Sequence, residues 1–327
     1  MGPAGYALSV ATLPLELCFR AATLGRAAAH RRGVFEARAA PLPVVSVGNL
    51  TVGGTGKTPL VGWLVRVLVK AGYRPAVATR GDGGDESLLH ARWNPEASVH
   101  VCRNRLRAAR AAADERADVV VLDDGFQHLR LARDLDLVLL AAEQRFPGPT
   151  LPRGPYRETP GALGRADWII VTRRVASRAT VALVEAAARA RAPHAGIAHA
   201  RLTPRGWQDL EGQPAEAPSG DVLAVAGVAG PEAFSALLGR ALEGRVELLP
   251  FADHHRYGRA DAERIGQHAA GRTVVVTEKD AVKLRTYARA LPDTRVLALG
   301  VELERGADEL EGALLRAAGG EPQEKAR

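Results

Sequence analysis

The sequence predicts an α/β protein: a mostly parallel sheet with helices on both faces, plus a second, smaller α/β lobe. Three observations carry this. Short β-branched runs alternate with stretches of helical apolar spacing along most of the 327 residues. The first strong run leads into a glycine-rich turn and a helix start, VSVGNLTVGGTGKTPL over 45–60. The alternation stops once, over 193–219, where Pro193, Pro204, Pro214 and Pro218 crowd a polar segment, and then it resumes.

Taken in order, residues 1–40 stand apart. Leu8 to Leu24 is apolar but broken by Pro14, Glu16 and Arg20. That is short of the roughly 20 apolar residues a membrane span needs, and it lacks the basic start of a signal peptide. With Arg26, Arg31 and Arg32 behind it, it fits an amphipathic helix lying on an anionic membrane surface. Packing against the protein's own core is the competing reading. Residues 41–192 form the first lobe. Its strands are VVSV (44–47), PAVAT (75–79), VVVL (119–122), LDLVLL (135–140) and WIIVT (168–172), with helices at Leu60–Ala71 and Arg103–Arg116. Residues 193–219 read as a connecting β element with one short strand, IAHARL. Residues 220–318 read as the second lobe, with strands DVLAVAG, VELLPF, TVVVT and RVLALG. A charged, frayed tail, 319–327, ends the chain.

Composition narrows the partners. The chain is 46% hydrophobic and 25% charged, the balance of a folded protein. Its formal charge of +7 suits nucleic acid, an anionic membrane or a phosphorylated substrate. With 5% aromatic residues and no zinc-finger or RNP-type segment, nucleic acid is the weakest of the three. Cys18 and Cys102 make neither a metal quartet nor a disulfide framework, so a reducing cytosol is expected.

The chemistry starts at Thr51–Thr58, TVGGTGKT. Glycines remove side chains where the backbone curls, and the helix start points N–H groups and a positive dipole at an anion. Lys57 can reach β/γ-phosphate oxygens and the Thr58 hydroxyl can ligate Mg²⁺. The loop residues Thr51, Val52, Gly53, Gly54, Thr55, Gly56, Lys57 and Thr58 are therefore the candidate ATP site, on a phosphate-loop NTPase-like sheet. Thr51 stands where the usual pattern has its first glycine, and Gly48 lies upstream. An inert glycine-rich turn is the alternative. A second signal, VVVLDDGFQH (119–128), ends an apolar strand in Asp123 and Asp124, where carboxylates emerge beside such a loop and can hold Mg²⁺.

GNLTVGGTGKTP, LDDGFQH, GPYRE, FADHH and TEKDAVK, in this order, resemble the tetraacyldisaccharide 4′-kinase family of lipid A synthesis. The likeness runs from about Pro41 to Arg285. It implies transfer of the ATP γ-phosphate to the 4′-hydroxyl of a tetraacylated glucosamine disaccharide 1-phosphate, at the cytoplasmic face of the inner membrane, with no statement about oligomeric state. It implies roles for Lys57 and Thr58 on phosphate and Mg²⁺, for Asp123 and Asp124 at the metal, and for Gln127 and His128 beside metal and substrate. Arg157 and Glu158 match an Arg–Glu pair near the nucleotide, with Glu158 a further metal ligand. Asp85 matches an aspartate that works with a histidine, here His254 or His255, on the acceptor hydroxyl. The segment Thr79–Glu86 lacks the family's tyrosine and its longer insertion, which implies a different or more open fit of the acceptor. Lys57 is expected to be exposed in the empty loop. Thr277–Asp280 reads equally as a helix cap and as a functional motif. A phosphate-loop ATPase or GTPase switch is the rival class, and no guanine-specifying N-K-x-D is present.

Overall fold

The structure, a computed structural model, describes residues 12–81 and 84–319, with the backbone alone at Asp85; the expected tail beyond 319 lies outside them. Every strand foreseen from apolar runs is present. The first half holds β1 (Val44–Asn49), β2 (Pro75–Thr79), β3 (Ser98–Val101), β4 (Val119–Asp123), β5 (Leu135–Ala141) and β6 (Trp168–Arg173). The second half holds β9 (Val222–Ala226), β10 (Val246–Pro250), β11 (Thr273–Thr277) and β12 (Thr294–Arg305). Between them lie β7 (Gly196–Gln208) and the two-residue β8 (Pro214–Ala215). The long helices are α1 (Leu13–Arg31), α2 (Lys57–Lys70), α3 (Asp85–Trp93), α4 (Arg105–Asp114), α5 (Arg178–Arg189), α6 (Pro231–Ala241), α7 (Arg259–Ala269), α8 (Glu278–Leu284) and α9 (Ala307–Ala317).

The two expected lobes share one sheet, ordered β10-β9-β11-β12-β7-β6-β5-β1-β4-β2-β3. All pairs along it are parallel except β7 with β12. The connecting element is thus more than the short strand expected over 197–202. It continues to Gln208, past Pro204, because the β7–β12 register slips between Ala298 and Leu299, opposite Pro204 to Gly206. A proline is tolerated in a strand at such an irregularity.

Strand alternation explains the layers. Val45, Val47, Leu137 and Leu139 pack with Leu60, Leu64 and Leu68 of α2 and with Leu310 and Leu314 of α9. Val138, Leu140, Ile169 and Val171 face the other way, onto Val181 and Val184 of α5. Strands buried on both faces read as continuous β-branched runs, and this is why the parallel part was legible.

Of the expected N-terminal segment, residues 1–11 lie outside the described residues and α1 lies within them. The buried polar anchor is Glu16, which accepts from the Thr150 N–H at 2.8 Å and pairs with Arg153. Leu13, Leu15, Leu17 and Leu24 are exposed. No helix among the described residues is long and apolar enough to cross a membrane.

Candidate active site

A cavity of about 410 Å³ opens where the two halves of the sheet meet. Its floor is the glycine-rich turn, Val52 through Pro59. β1 ends at Asn49, and the turn closes on Gly56, whose φ of +94° a side chain would strain, before α2 starts at Lys57. Gly48 serves packing: a Cβ there would lie 2.4 Å from Phe126 Cβ. Thr51, in the place of the usual glycine, donates to Gln144 Oε1 at 2.9 Å. Asn49 ties the turn together. Its Nδ2 donates to Gly53 O (3.3 Å) and Thr55 Oγ1 (3.0 Å), and its Oδ1 accepts from Lys57 Nζ at 3.2 Å. Thr172 Oγ1 donates to Thr55 O at 2.8 Å, and Arg174 to Gly54 O at 2.7 Å.

Lys57 corrects an expectation. Its side chain is only 11% exposed, because Nζ also lies 3.3 Å from Asp124 Oδ1. Arg157 holds the other oxygen of that carboxylate at 2.7 Å. Burial alone would raise the Asp124 carboxyl; the two cations outweigh it and hold it at about 2. Asp124 reaches them through a left-handed turn, φ +59°, which turns it away from its neighbour. Asp123, the last residue of β4, is fully buried beside β1 and binds His90 Nε2 at 2.8 Å. Its Oδ1 has no hydrogen-bond partner among the described residues. Burial opposes its ionisation, but the His90 hydrogen bond and the Lys57 and Lys279 charges win and keep it below the usual range. A buried carboxylate oxygen left unbonded at the end of β4, beside the strand that leads into the glycine-rich turn, fits Mg²⁺, which takes hard oxygen donors and few protein ligands.

The far wall comes from the second half. Asp253 and His254 line the cavity; His255 does not. His255 Nε2 donates to Asp261 Oδ2 (3.0 Å), and its ring packs against Phe251 and, edge-on, Tyr257, their ring centres 4.8 and 4.9 Å away. His254 sits at φ +57° with its N–H on Gly227 O, and Gly227 N–H is held in turn by the buried Asp280. At Thr277–Asp280 the expected cap is present. The Thr277 hydroxyl caps α8, accepting from Asp280 N–H at 3.2 Å, while Glu278 and Lys279 face the cavity. Lys279 Nζ meets Glu86 Oε1 at 2.8 Å across the opening. Burial, then the Asp123 charge, pushes the Glu86 carboxyl up, against Lys279.

Of the residues expected here, the structure gathers the turn, Lys57, Thr58, Asp124, Arg157 and His254 around one cavity, with Asp123 beneath. Asp85 is the first residue of α3, next to the cavity-lining Glu86; its side chain lies outside the described residues. Gln127, His128 and Glu158 do not line the cavity. The Gln127 amide donates to Asn49 O at 2.9 Å, bracing the turn. Burial and then Arg105, Arg133 and Arg130 push His128 below its usual range. Glu158, expected at the metal, is buried and pairs with Arg165 at 3.1 Å. Asn49, Glu86, His90 and Arg174 had no reading of their own in the sequence, and Lys279 was read only within the Thr277–Asp280 motif. For α3 a signal existed: Glu86, His90 and Trp93 recur at helical spacing.

The comparisons with known proteins agree with this geometry. The family model for tetraacyldisaccharide-1-P 4′-kinase matches residues 8–84 and 82–318. The chain belongs to that family. It is a phosphotransferase of the family's kind, with an alcohol as acceptor. A tetraacyldisaccharide 4′-kinase of Anaeromyxobacter dehalogenans is 40% identical over 96% of this chain and 92% of its own. One from Halorhodospira halophila is 36% identical, over 91% and 90%. A crystal structure of LpxK from Aquifex aeolicus, in complex with ATP, has the same fold: TM-score 0.73, 23% identity, 95% of this chain and 99% of that one.

Proposed function

We propose that the protein moves the γ-phosphate of ATP to the 4′-hydroxyl of a tetraacylated glucosamine disaccharide 1-phosphate, working on the cytoplasmic face of the inner membrane. The observation that carries this is one cavity with a phosphate cradle on its floor and His254 on its opposite wall. Phosphoryl transfer needs positioning and charge neutralisation more than covalent help. The turn's N–H groups and Lys57 receive the β- and γ-phosphates, with Lys57 exchanging its Asp124 contact for phosphate oxygen. Arg157 neutralises the charge of the transferring group. Thr58 and Asp123, with Asp124 beside them, would hold Mg²⁺, which would supply positive charge against the phosphates. Asp85, at the start of α3, takes the proton of the acceptor hydroxyl, and His254, on the far wall, orients it. The exposed leucines of α1, with Arg20, Arg26 and Arg31 on the same helix, rest on anionic lipid, where an acylated substrate resides.

ADP release measured with and without a lipid A disaccharide 1-phosphate in mixed micelles tests the reading. Release should rise at least about tenfold with acceptor, alongside a 4′-phosphorylated product. Equal release without acceptor would make the protein an ATPase. Sedimentation with phosphatidylglycerol vesicles, lost when Leu13, Leu15, Leu17 and Leu24 become serine, tests the membrane part.

A further inference from the structure

Helix α3 does more than start with Asp85. Residues 86, 90 and 93 fall on one face, at i, i+4 and i+7. Glu86 meets Lys279 of α8 at 2.8 Å, and Trp93 Nε1 donates to Glu278 Oε1 at 2.9 Å. The helix is therefore tethered to the second half near both ends. Between the tethers sits His90, with no exposed surface, its ring edge-on to Trp93 with centres 6.4 Å apart. Nε2 lies 2.8 Å from Asp123 Oδ2. Nδ1 is buried and has no hydrogen-bond partner among the described residues. The ring thus makes one hydrogen bond, and since an ionised carboxylate only accepts, Nε2 carries the hydrogen.

Asp123 shows the complementary pattern. Its main-chain oxygen accepts from Arg105 at 3.2 Å, which fixes the backbone. Its Oδ2 is taken by His90, and its Oδ1 is buried and left over. The carboxylate torsion is a broad, roughly twofold well, so backbone placement alone does not choose which oxygen faces the phosphate side. One rigid donor on one oxygen does choose.

We infer that His90 is a positioning residue for the reaction: its Nε2–H pins Asp123 Oδ2, so that Oδ1 is the oxygen presented to the divalent cation. This rests on the reading that Asp123 holds the metal of a kinase. His90 touches neither nucleotide nor acceptor, and its effect passes through the carboxylate. Hydrogen-bond partners of metal ligands change metal affinity about 10–100-fold when removed. The readout is therefore cation binding.

The experiment uses the full chain with Mn²⁺ and a non-hydrolysable ATP analogue, free Mn²⁺ being followed by electron paramagnetic resonance. Nucleotide binding in EDTA and thermal denaturation run beside it. His90→Leu and His90→Asn should weaken Mn²⁺ affinity about tenfold, while nucleotide binding in EDTA stays within about twofold. His90→Gln, whose amide reaches about as far as Nε2, should recover affinity to within about twofold of the unaltered protein. If His90→Leu fails to fold, the contrast of Gln with Asn decides. Unchanged Mn²⁺ affinity in the leucine variant overturns the inference, and so do equal affinities in the Gln and Asn variants, which would make His90 a packing residue. Asp123→Asn separates the two levels. If it leaves Mn²⁺ affinity intact, the metal reading falls and this inference with it. If it weakens Mn²⁺ while His90→Leu does not, only the inference falls.

Discussion

The two halves of the sheet meet at the cavity with the same local architecture and different chemistry. In the first, β1 runs into a glycine-rich turn and then α2. In the second, β9 runs through Val228, Ala229 and Gly230 into α6, which also starts after a left-handed glycine, at φ +85°. Both turns line the cavity, and they touch: a side chain on Gly53 would lie 2.8 Å from Ala229 Cβ. The first turn is wired by Asn49, Thr172 and Arg174 and is followed by Lys57, with Asp124 and Arg157 completing a charged cluster. The second has no lysine and presents Val228, Phe234 and Leu237, with charge arriving from Glu278, Lys279 and the Asp253–His254 loop. A strand–turn–helix unit therefore supplies a shape, and the side chains around it decide whether the shape holds phosphate.

The sharpest test of this asymmetry is Lys57→Ala. Removing the one ammonium that can reach phosphate from the floor should lower kcat at least about 10²–10³-fold. Arg157 still holds Asp124, so the melting temperature should move by only a few degrees. Near-normal turnover would break the assignment of phosphate to the first half.

The far wall contains its own control, two adjacent histidines. His254→Ala should lower kcat about 10²-fold with nucleotide affinity kept, because His254 faces the cavity opposite the phosphate turn. His255→Ala should leave kcat within a few-fold and cost roughly 1 kcal/mol of stability, the loss of its Asp261 bond. Steady-state kinetics and thermal melts on the pair decide it. A reversed result would put the wrong residue in the cavity.

A smaller effect lies under the first half. Asp136, on β5, is buried near Arg133 and Ser46, and burial pushes its carboxyl up to about 6 despite Arg133. Its folded value is above the unfolded 3.8, so the folded state binds more protons between about pH 4 and 6. Stability therefore falls as pH rises through that window and stays reduced above it, by about 3 kcal/mol at most. Asp136→Asn should gain stability relative to the unaltered chain as pH goes from 4 to 7. Denaturant melts at both pH values would show no such divergence if the site were solvated.

Much of this protein was written in local sequence. β-branched runs bounded by turns gave nine of the ten strands flanking the connecting element, all but the short β3, with TVVVT and PAVAT matching to the residue, because a strand covered on both faces must be apolar throughout. GGTGKT and LDDG marked the cavity's glycine-rich floor and the carboxylate beside it, since a tightly curled backbone leaves glycines behind. What local pattern could not contain is pairing at a distance. It divided the chain into two lobes, whereas β7 and β12, some ninety residues apart, join them into one sheet. It held no sign that Arg165 would pair with the Glu158 carboxylate. It left His254 and His255 equivalent, and only the packing of Phe251, Tyr257 and Asp261 around one of them sends the other into the cavity. It expected an exposed Lys57, and the fold brings Asp124 and Asn49 to it. Residue type and spacing determine which groups can do chemistry. Which of them are desolvated, paired and aimed at one another depends on contacts between segments far apart in the chain, and only tertiary structure makes those.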